Sequence, residues 1–421
     1  MSVYRPSLVH LARGFSSISK MSSVSQTVPF SSIIIEEDRH PDYDPRKYYP
    51  ARIGEAISKQ YRLVAKLGWG ANSTVWLAKD ITRWAWQSKR YVTLKITNSG
   101  KNEQMSAQEE VAISQHISRQ SDHKGQAYIR LVKESFQIRG PFGEHMCLVF
   151  EPLREPLWLF GRHLGHHGVP SAVLKPVLKL LLQGLDFLHS ECHIIHTDLK
   201  SDNFLVGFED PAVLESYVRQ QERDPAPYKL DDNHFIFQSR QDFGPLRKGL
   251  GTVKISDFSA AVFGNVSTPH NHDIQPRPFC APEVLLRAPW SYGVDIWNLG
   301  TALWELLADT TLFNGQDPRT NEYSREAHLA QMIRLLGPPP SQLLEKVNTT
   351  VFSELFSVQG EFKFPHLIPS EEFNLDRLTP FLHGEDKRLF LEFAKRMLQW
   401  DPEQRSTAKD LSNDPWLTYK P

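Results

Sequence analysis

The sequence predicts an α+β fold in two parts: a small β-rich N-terminal part with one main helix, then a larger, mostly helical C-terminal part. Two observations predict it. Between Tyr61 and Phe150 short apolar runs with strand-like spacing recur, broken by one helical stretch. After Glu151 the apolar spacing becomes helical over long windows.

The strand-like runs are Tyr61–Leu67, Ser73–Ala78, Tyr91–Ile96, Tyr128–Gln137 and His145–Phe150. The helix among them is Glu103–Ile117. The later helices are 171–190, 291–308, 324–336 and 384–398. The stretch 171–190 is the most apolar, but Lys175, Lys179, Gln183 and Asp186 break it, so it reads as a buried helix and not a membrane span. Ser171 after Pro170 is placed to cap its start. Residues 208–250 carry Pro211, Pro225, Pro227 and Pro245 with no sustained period, and read as an inserted surface segment. Glu36 to Pro50 reads as an irregular lead-in.

The chain has 421 residues, 40% hydrophobic and 23% charged, an ordinary soluble composition. A formal net charge of −1 supplies no basic field for nucleic acid. Cys147, Cys192 and Cys280 are scattered without metal-ligand spacing, which argues against a zinc site or a disulfide framework. The first 35 residues lack Asp and Glu, carry Arg5, Arg13 and Lys20, and place Tyr4, Leu8, Leu11 and Phe15 on one helical face. That composition is similar to a mitochondrial transit peptide, but a Ser-rich tail on a cytoplasmic or nuclear protein is the first reading, and a mitochondrial protein is the alternative if residues 1–20 act as a transit peptide.

The segment His196-Thr197-Asp198-Leu199-Lys200-Ser201-Asp202-Asn203 reads H-x-D-x-K-x-x-N. It puts a carboxylate that can take a hydroxyl proton, an ammonium and a metal-holding amide oxygen on one short loop, which is what phosphoryl transfer requires. Upstream, Gly68-Trp69-Gly70-Ala71-Asn72-Ser73-Thr74-Val75 forms a G-x-G-x-x-S-x-V turn between two predicted strands. Its backbone can approach phosphate oxygens closely. A strand and not a helix follows, which disfavours a dinucleotide fold. Lys95 lies in the apolar strand Val92–Ile96, where a lysine is costly without a partner; Glu109 or Glu110 on the next helix can supply one.

With these in place the chain resembles the eukaryotic protein kinases. Glycine turn, Lys95, helix glutamate, His196–Asn203, Asp257-Phe258-Ser259, Ala281-Pro282-Glu283, Asp295-Ile296-Trp297 and Arg405 follow in order over residues 61–417. Lys66-Leu67-Gly68-Trp69-Gly70, Ser73-Thr74-Val75-Trp76-Leu77, Thr197 in place of the usual arginine, and Asp273-Ile274-Gln275 resemble the SR-protein kinases.

The resemblance implies a bilobed fold: an N-terminal extension (1–50), an N-lobe (61–150), a hinge (151–154), a C-lobe (155–417) and the 208–250 insert within the C-lobe. It implies a monomeric serine/threonine protein kinase that uses ATP and Mg2+ on protein substrates, among them Arg/Ser-rich splicing-type proteins, with no direct nucleic-acid or membrane partner. Asp198 would deprotonate the substrate hydroxyl and Lys200 would neutralise the moving phosphoryl group. Asn203 and Asp257 would hold magnesium. Lys95 would hold phosphates and pair with Glu110, under the turn of Leu67, Gly68, Trp69, Gly70 and Ser73. Val75 and Leu205 would enclose adenine, and Glu151 and Leu153 would present hinge backbone groups. Glu283 with Arg405 would be a buried pair, and Asp295 would anchor the catalytic loop.

Four positions depart from the pattern: Ser259 for glycine, Thr93 for alanine, Pro276 for threonine and Cys280 for arginine. Thr197 removes the arginine that pairs with a phosphorylated activation loop, so activity without that phosphorylation is expected. Glu371, Glu372, Asp376, Glu385 and Asp386 could form an acidic substrate groove or simply a solvated charged face. A nucleotide-binding scaffold without efficient transfer is the alternative reading. The presence of Lys95, Asp198, Asn203 and Asp257 argues against it.

Overall fold

In the computed structural model, residues 36–84, 87, 90–120, 123–231 and 234–420 are described. The transit-peptide segment lies outside them. In chain order come β1 (Ala56–Ile57), β2 (Tyr61–Gly70), β3 (Ser73–Asp80), β4 (Tyr91–Thr97), α1 (Lys101–Ser118), β5 (Glu134–Arg139) and β6 (Glu144–Phe150). Then follow α2 (Phe160–His163), α3 (Ser171–Ser190), β7 (Ile194–Ile195), β8 (Phe204–Val206), α4 (Pro211–Arg223), β9 (Tyr228–Asp231) and β10 (His234–Phe237). The chain continues with β11 (Val253–Ile255), β12 (Val262–Phe263), α5 (Pro282–Leu285), α6 (Gly293–Ala308) and α7 (Arg325–Leu336). It ends with α8 (Ser341–Leu344), α9 (Thr349–Leu355), α10 (Gly384–Lys395), α11 (Ala408–Leu411) and α12 (Pro415–Thr418). No described helix is long and apolar enough to cross a membrane.

The chain divides into two compact units. The first holds the described residues up to Met105 together with Glu134–Phe150 and Ser216–Gln241. Its antiparallel sheet runs β1-β2-β3-β4-β6-β5. One face is closed by Tyr61, Leu63, Trp76, Val92, Leu94 and Val149.

The second unit holds Ser106–Lys133, Glu151–Glu215 and the chain from Asp242 onward. Its core is gathered around α3 and α6, with the side chains of Leu181, Leu185, Trp297 and Trp304 buried. Fourteen of the sixteen residues of α6 are buried, including one stripe of polar residues whose members Asp295, Asn298 and Glu305 are hydrogen-bonded to the surrounding chain.

The helices at 171–190, 291–308, 324–336 and 384–398 and most strands lie where the spacing places them. Three expectations are corrected. The run Tyr128–Gln137 becomes a strand only from Glu134; Lys124–Tyr128 is a 3-10 turn whose Gly125 sits against the backbone of Gln183. Ser171 does not cap α3; it is the first helical residue, and its hydroxyl donates to Asp386 at 2.8 Å.

The insert is the third. It is not an irregular surface segment within the larger unit. It contains α4 and the hairpin β9–β10, and residues 216–241 belong to the first unit. Phe237 packs edge-on against Trp76, with ring centroids 5.9 Å apart. The lead-in is ordered too: Glu36, Glu37 and Tyr48 are buried. The first unit therefore reaches beyond the expected 61–150 at one end and by way of the insert, and cedes 106–133 to the second.

Candidate active site

Two small antiparallel ribbons position the H-x-D-x-K-x-x-N loop. β7 pairs with β12 and β8 pairs with β11, so residues 196–203 and 256–261 are held side by side. The loop's own backbone is strained: Thr197 has φ +66° and Asp257 φ +67°, a conformation disfavoured for residues with a Cβ. Asp295, at the start of α6, holds it. Its Oδ2 accepts from the His196 backbone N–H at 2.7 Å and its Oδ1 from that of Thr197 at 2.8 Å. His189 Nε2 lies 2.9 Å from the same Oδ2. The anchoring role expected of Asp295 is thus present in its geometry.

His196 is fully buried, and its ring bonds fix its tautomer. Nε2 lies 3.1 Å from the Ser256 carbonyl, which can only accept, while Nδ1 accepts from the Asp198 N–H at 3.3 Å. With Nδ1 accepting, Nε2 is the nitrogen that donates to Ser256. It ties the loop to the strand end before Asp257.

Asp198 is the centre of the cluster. Lys200 Nζ donates to its Oδ2 at 2.7 Å, and Asn203 Nδ2 donates to its backbone carbonyl at 2.8 Å and to Oδ2 at 3.2 Å. Asp198 Oδ1 is buried and has no hydrogen-bond partner among the described residues. Burial opposes the Lys200 charge, but the carboxylates of Asp198, Asp202 and Asp257 outweigh it and hold its pKa above the ordinary lysine value. Because Asn203 spends its amide nitrogen on Asp198, its oxygen is the end available to a cation. Asn203 and Asp257 together offer hard oxygen donors that suit magnesium. Leu205 lies on β8 opposite Lys254, and Leu153 is buried in the segment 151–154.

The first unit carries the other expected residues except Glu110 and Glu151, which belong to the second. Leu67, Gly68, Trp69 and Gly70 end β2, and Ser73 and Val75 begin β3, with Gly70 opposite Ser73 and Gly68 opposite Val75. Val75 stands opposite Lys95 across β3–β4, so both face the same side of the sheet. Neither Gly68 nor Gly70 has a positive φ, and a Cβ on Gly70 would meet nothing within 4 Å. Nothing in the described residues demands glycine at 70. Glu110 is buried on α1, whereas Glu109 is exposed; that favours Glu110 as the functional one.

Arg405 and Glu283 form a two-pronged pair at 2.6 and 2.7 Å with both side chains fully buried. The departures also find structural roles. Thr197 Oγ1 donates to the Ala260 carbonyl at 2.7 Å. Ser259 is not in the left-handed region, and its carbonyl accepts from the Ser106 hydroxyl at 3.1 Å. Next to Pro276, Gln275 bridges the segment: its Nε2 donates to the Val294 carbonyl at 3.0 Å and its Oε1 accepts from the Ala281 N–H at 2.8 Å. Cys280 is buried, and burial pushes its thiol pKa up, so it is no thiolate. The Thr93 hydroxyl is buried without a partner.

Two residues escaped sequence reasoning. Arg130 is buried and donates through Nη2 to the Glu151 carbonyl at 2.8 Å. Burial lowers its pKa to about 10, partly offset by Glu151, Glu110 and Asp257. A lone arginine between Ile129 and Leu131 is the same signal that singled out Lys95. Arg154 gave no such signal. Its buried guanidinium donates to both oxygens of Glu209 at 2.9 Å and to the Gly244 carbonyl, joining the two feet of the insert at 151–154.

Most acidic-groove candidates are already paired. Asp386 is buried with Lys175, Glu385 pairs with Arg388, Glu372 with Arg377 and Asp376 with Lys387. A solvated, internally paired charge face describes them better than a free acidic groove.

Comparison with known proteins agrees with the motif order. The protein kinase domain model matches residues 61–417. The chain is 36% identical to a serine/threonine protein kinase of Aspergillus fumigatus, over 92% of each chain. It is 31% identical to the serine/threonine-protein kinase SRPK of Physarum polycephalum, again over 92% of each. The crystal structure of a kinase domain superposes with a TM-score of 0.65 and 24% identity, covering 89% of this chain and 100% of that one; at this identity the likeness speaks for the fold alone.

Proposed function

The chain belongs to the protein kinase family, as an SRPK-like serine/threonine kinase, and on that footing we propose how its residues divide the work and which proteins it modifies. The single observation that carries the proposal is the state of Asp198. One carboxylate oxygen is committed to Lys200 and Asn203, and the other is buried without a partner among the described residues. A buried unpartnered carboxylate oxygen costs free energy unless something fills the gap. A substrate hydroxyl does so, donating its hydrogen bond and then its proton as oxygen attacks the γ-phosphorus of ATP.

Lys200, held cationic by three carboxylates, faces the charge that develops on the transferred group. The oxygens of Asn203 and Asp257 would hold magnesium, which would neutralise phosphate charge there. We assign Lys95 to the α- and β-phosphate oxygens with Glu110 as its intended partner, the turn at Gly68–Ser73 to the phosphates, Val75 and Leu205 to the adenine, and the backbone groups of Glu151 and Leu153 to its edge.

We read the substrates as Arg/Ser-rich proteins. Support comes from the SR-protein-kinase-like motifs and from the likeness to SRPK, not from the acidic residues of the lower region. We also read the kinase as active without activation-segment phosphorylation. The Thr197–Ala260 bond replaces, with a direct tie, the contact that an arginine would make through a phosphate.

The test is incubation of the full chain with magnesium-ATP and an arrayed peptide library, beside Asp198→Ala. Transfer to Arg/Ser peptides by the wild type alone is the expected outcome. Equal labelling by the variant sinks the role of Asp198. Nucleotide binding with no transfer by the wild type establishes the scaffold reading instead.

A further inference from the structure

We infer that residues 36–48, which precede the matched kinase domain, are a strap that positions the phosphate-binding turn and so sets the affinity for ATP. The inference rests on the assignment of Gly68–Ser73 to the ATP phosphates.

The strap grips the turn at two points. At its foot stands Lys66, two residues before Gly68, with a side chain fully buried in β2. Its ammonium donates to Glu37 and, at 3.1 Å, to the Phe237 carbonyl, and lies 3.6 Å from Glu36. A lysine buried this completely holds only while its partners stay. At the tip, the hydroxyl of buried Tyr48 donates to the Ala71 carbonyl at 3.1 Å. Glu37 and Tyr48 thus bracket the turn from one short segment.

The insert completes the grip. The Arg240 N–H donates to the Lys66 carbonyl at 2.8 Å, where the β2–β3 register slips between Lys66 and Gly68. Glu36 in turn accepts from the Ser239 backbone and hydroxyl at 2.9 and 2.6 Å, and Asp38 pairs with Lys229 on β9 at 2.9 Å. Strap and hairpin therefore clamp Lys66 from two sides.

The turn needs such help. Gly68 and Gly70 lie in ordinary backbone regions with open space around Gly70, so neither glycine locks its own conformation. A turn left to itself would lose entropy each time nucleotide ordered it. One held at foot and tip has lost that freedom already, which is preorganisation. Glu37, Tyr48 and Lys66 are positioning residues; none of them needs to touch ATP.

The experiment uses the full chain and three variants: Tyr48→Phe, Glu37→Gln and the double Glu37→Gln/Lys66→Met. The double keeps the structure testable if the single Glu37 change unfolds, since it removes the buried Lys66–Glu37 pair together and leaves Glu36 bonded to Ser239. ATP affinity is measured by calorimetry, and KM for ATP, KM for the protein substrate and kcat by initial rates. We expect ATP affinity to weaken by about two- to tenfold in Tyr48→Phe, the range of one hydrogen bond, and by at least as much in the double. KM for protein and kcat at saturating ATP stay within about twofold. Unchanged ATP affinity in folded variants overturns the strap, as does a parallel loss in KM for protein and kcat. If the wild type binds ATP but transfers nothing, the proposed function fails while the strap is still judged by the binding constants. If it binds no ATP, both fail.

Discussion

The Thr197 hydroxyl donates to the backbone carbonyl of Ala260 at 2.7 Å, tying the catalytic loop directly to the segment that follows Asp257. Removing the hydroxyl leaves a carbonyl without its donor, worth about 1–3 kcal/mol where water cannot replace it. Thr197→Val should then lose roughly five- to hundredfold in kcat/KM by the same energy, while Thr197→Ser keeps most of the activity. Protein made in bacteria and treated with phosphatase is the material to assay. If the wild type in that state is inactive and a kinase acting on 258–280 restores it, the tie does not stand in for a phosphate.

Glu283 and Arg405 are both fully buried and joined by two short bonds. Glu283→Ala leaves a buried guanidinium uncompensated and should cost on the order of 3–5 kcal/mol. Arg405→Lys should also be damaging, because an ammonium cannot make the parallel pair of bonds or replace those to the Gln399 and Gly293 carbonyls. Denaturant unfolding followed by tryptophan fluorescence reads both; wild-type-like midpoints would mean that the site rehydrates.

Thr93 carries a buried hydroxyl that bonds to nothing, on β4 opposite Leu77 and Phe150. Valine keeps the branched shape the strand prefers and removes the unpaired group. Thr93→Val should therefore stabilise the nucleotide-free protein by about 1 kcal/mol. A loss of stability, measured as a lower melting temperature, would show that the hydroxyl has a partner, such as an ordered water.

How much of this was legible follows from where each signal sits. Asp198, Lys200, Asn203 and Asp257 lie in two short motifs, and two-stranded ribbons bring those motifs together. Local reading therefore sufficed. Asp295 and Arg405 were legible only through the family resemblance, because their partners are far away in sequence. The insert was misread for the same reason. His234–Phe237 is too short to show a period, and its burial depends on Trp76, some 160 residues earlier. Lys66 entered the sequence reading only as part of a motif; Glu37 and Phe237 show that it is buried and why. Arg130 could have been found, since its flanks Ile129 and Leu131 gave the same contrast as those of Lys95.

His328 gives the stability of the second unit a pH dependence of calculable sign. It lies on α7, fully buried. The Tyr323 hydroxyl is 3.1 Å from Nδ1, Nε2 has no partner, and the Phe313 ring is 5.6 Å away. Burial pushes its pKa down to about 3. In the unfolded chain the imidazole titrates near the ordinary value of about 6.5. Between these values the unfolded state binds a proton that the folded state refuses. Stability is complete above about pH 6.5 and falls with acidification toward pH 3, by up to about 1.4 kcal/mol per unit. By pH 5 the loss from this one group reaches about 2 kcal/mol. His328→Phe abolishes the contribution whatever its own stability, so the slope of unfolding free energy between pH 7 and pH 5 should flatten by that amount. An identical slope in wild type and variant would mean that His328 opens to solvent and takes its proton in the folded state.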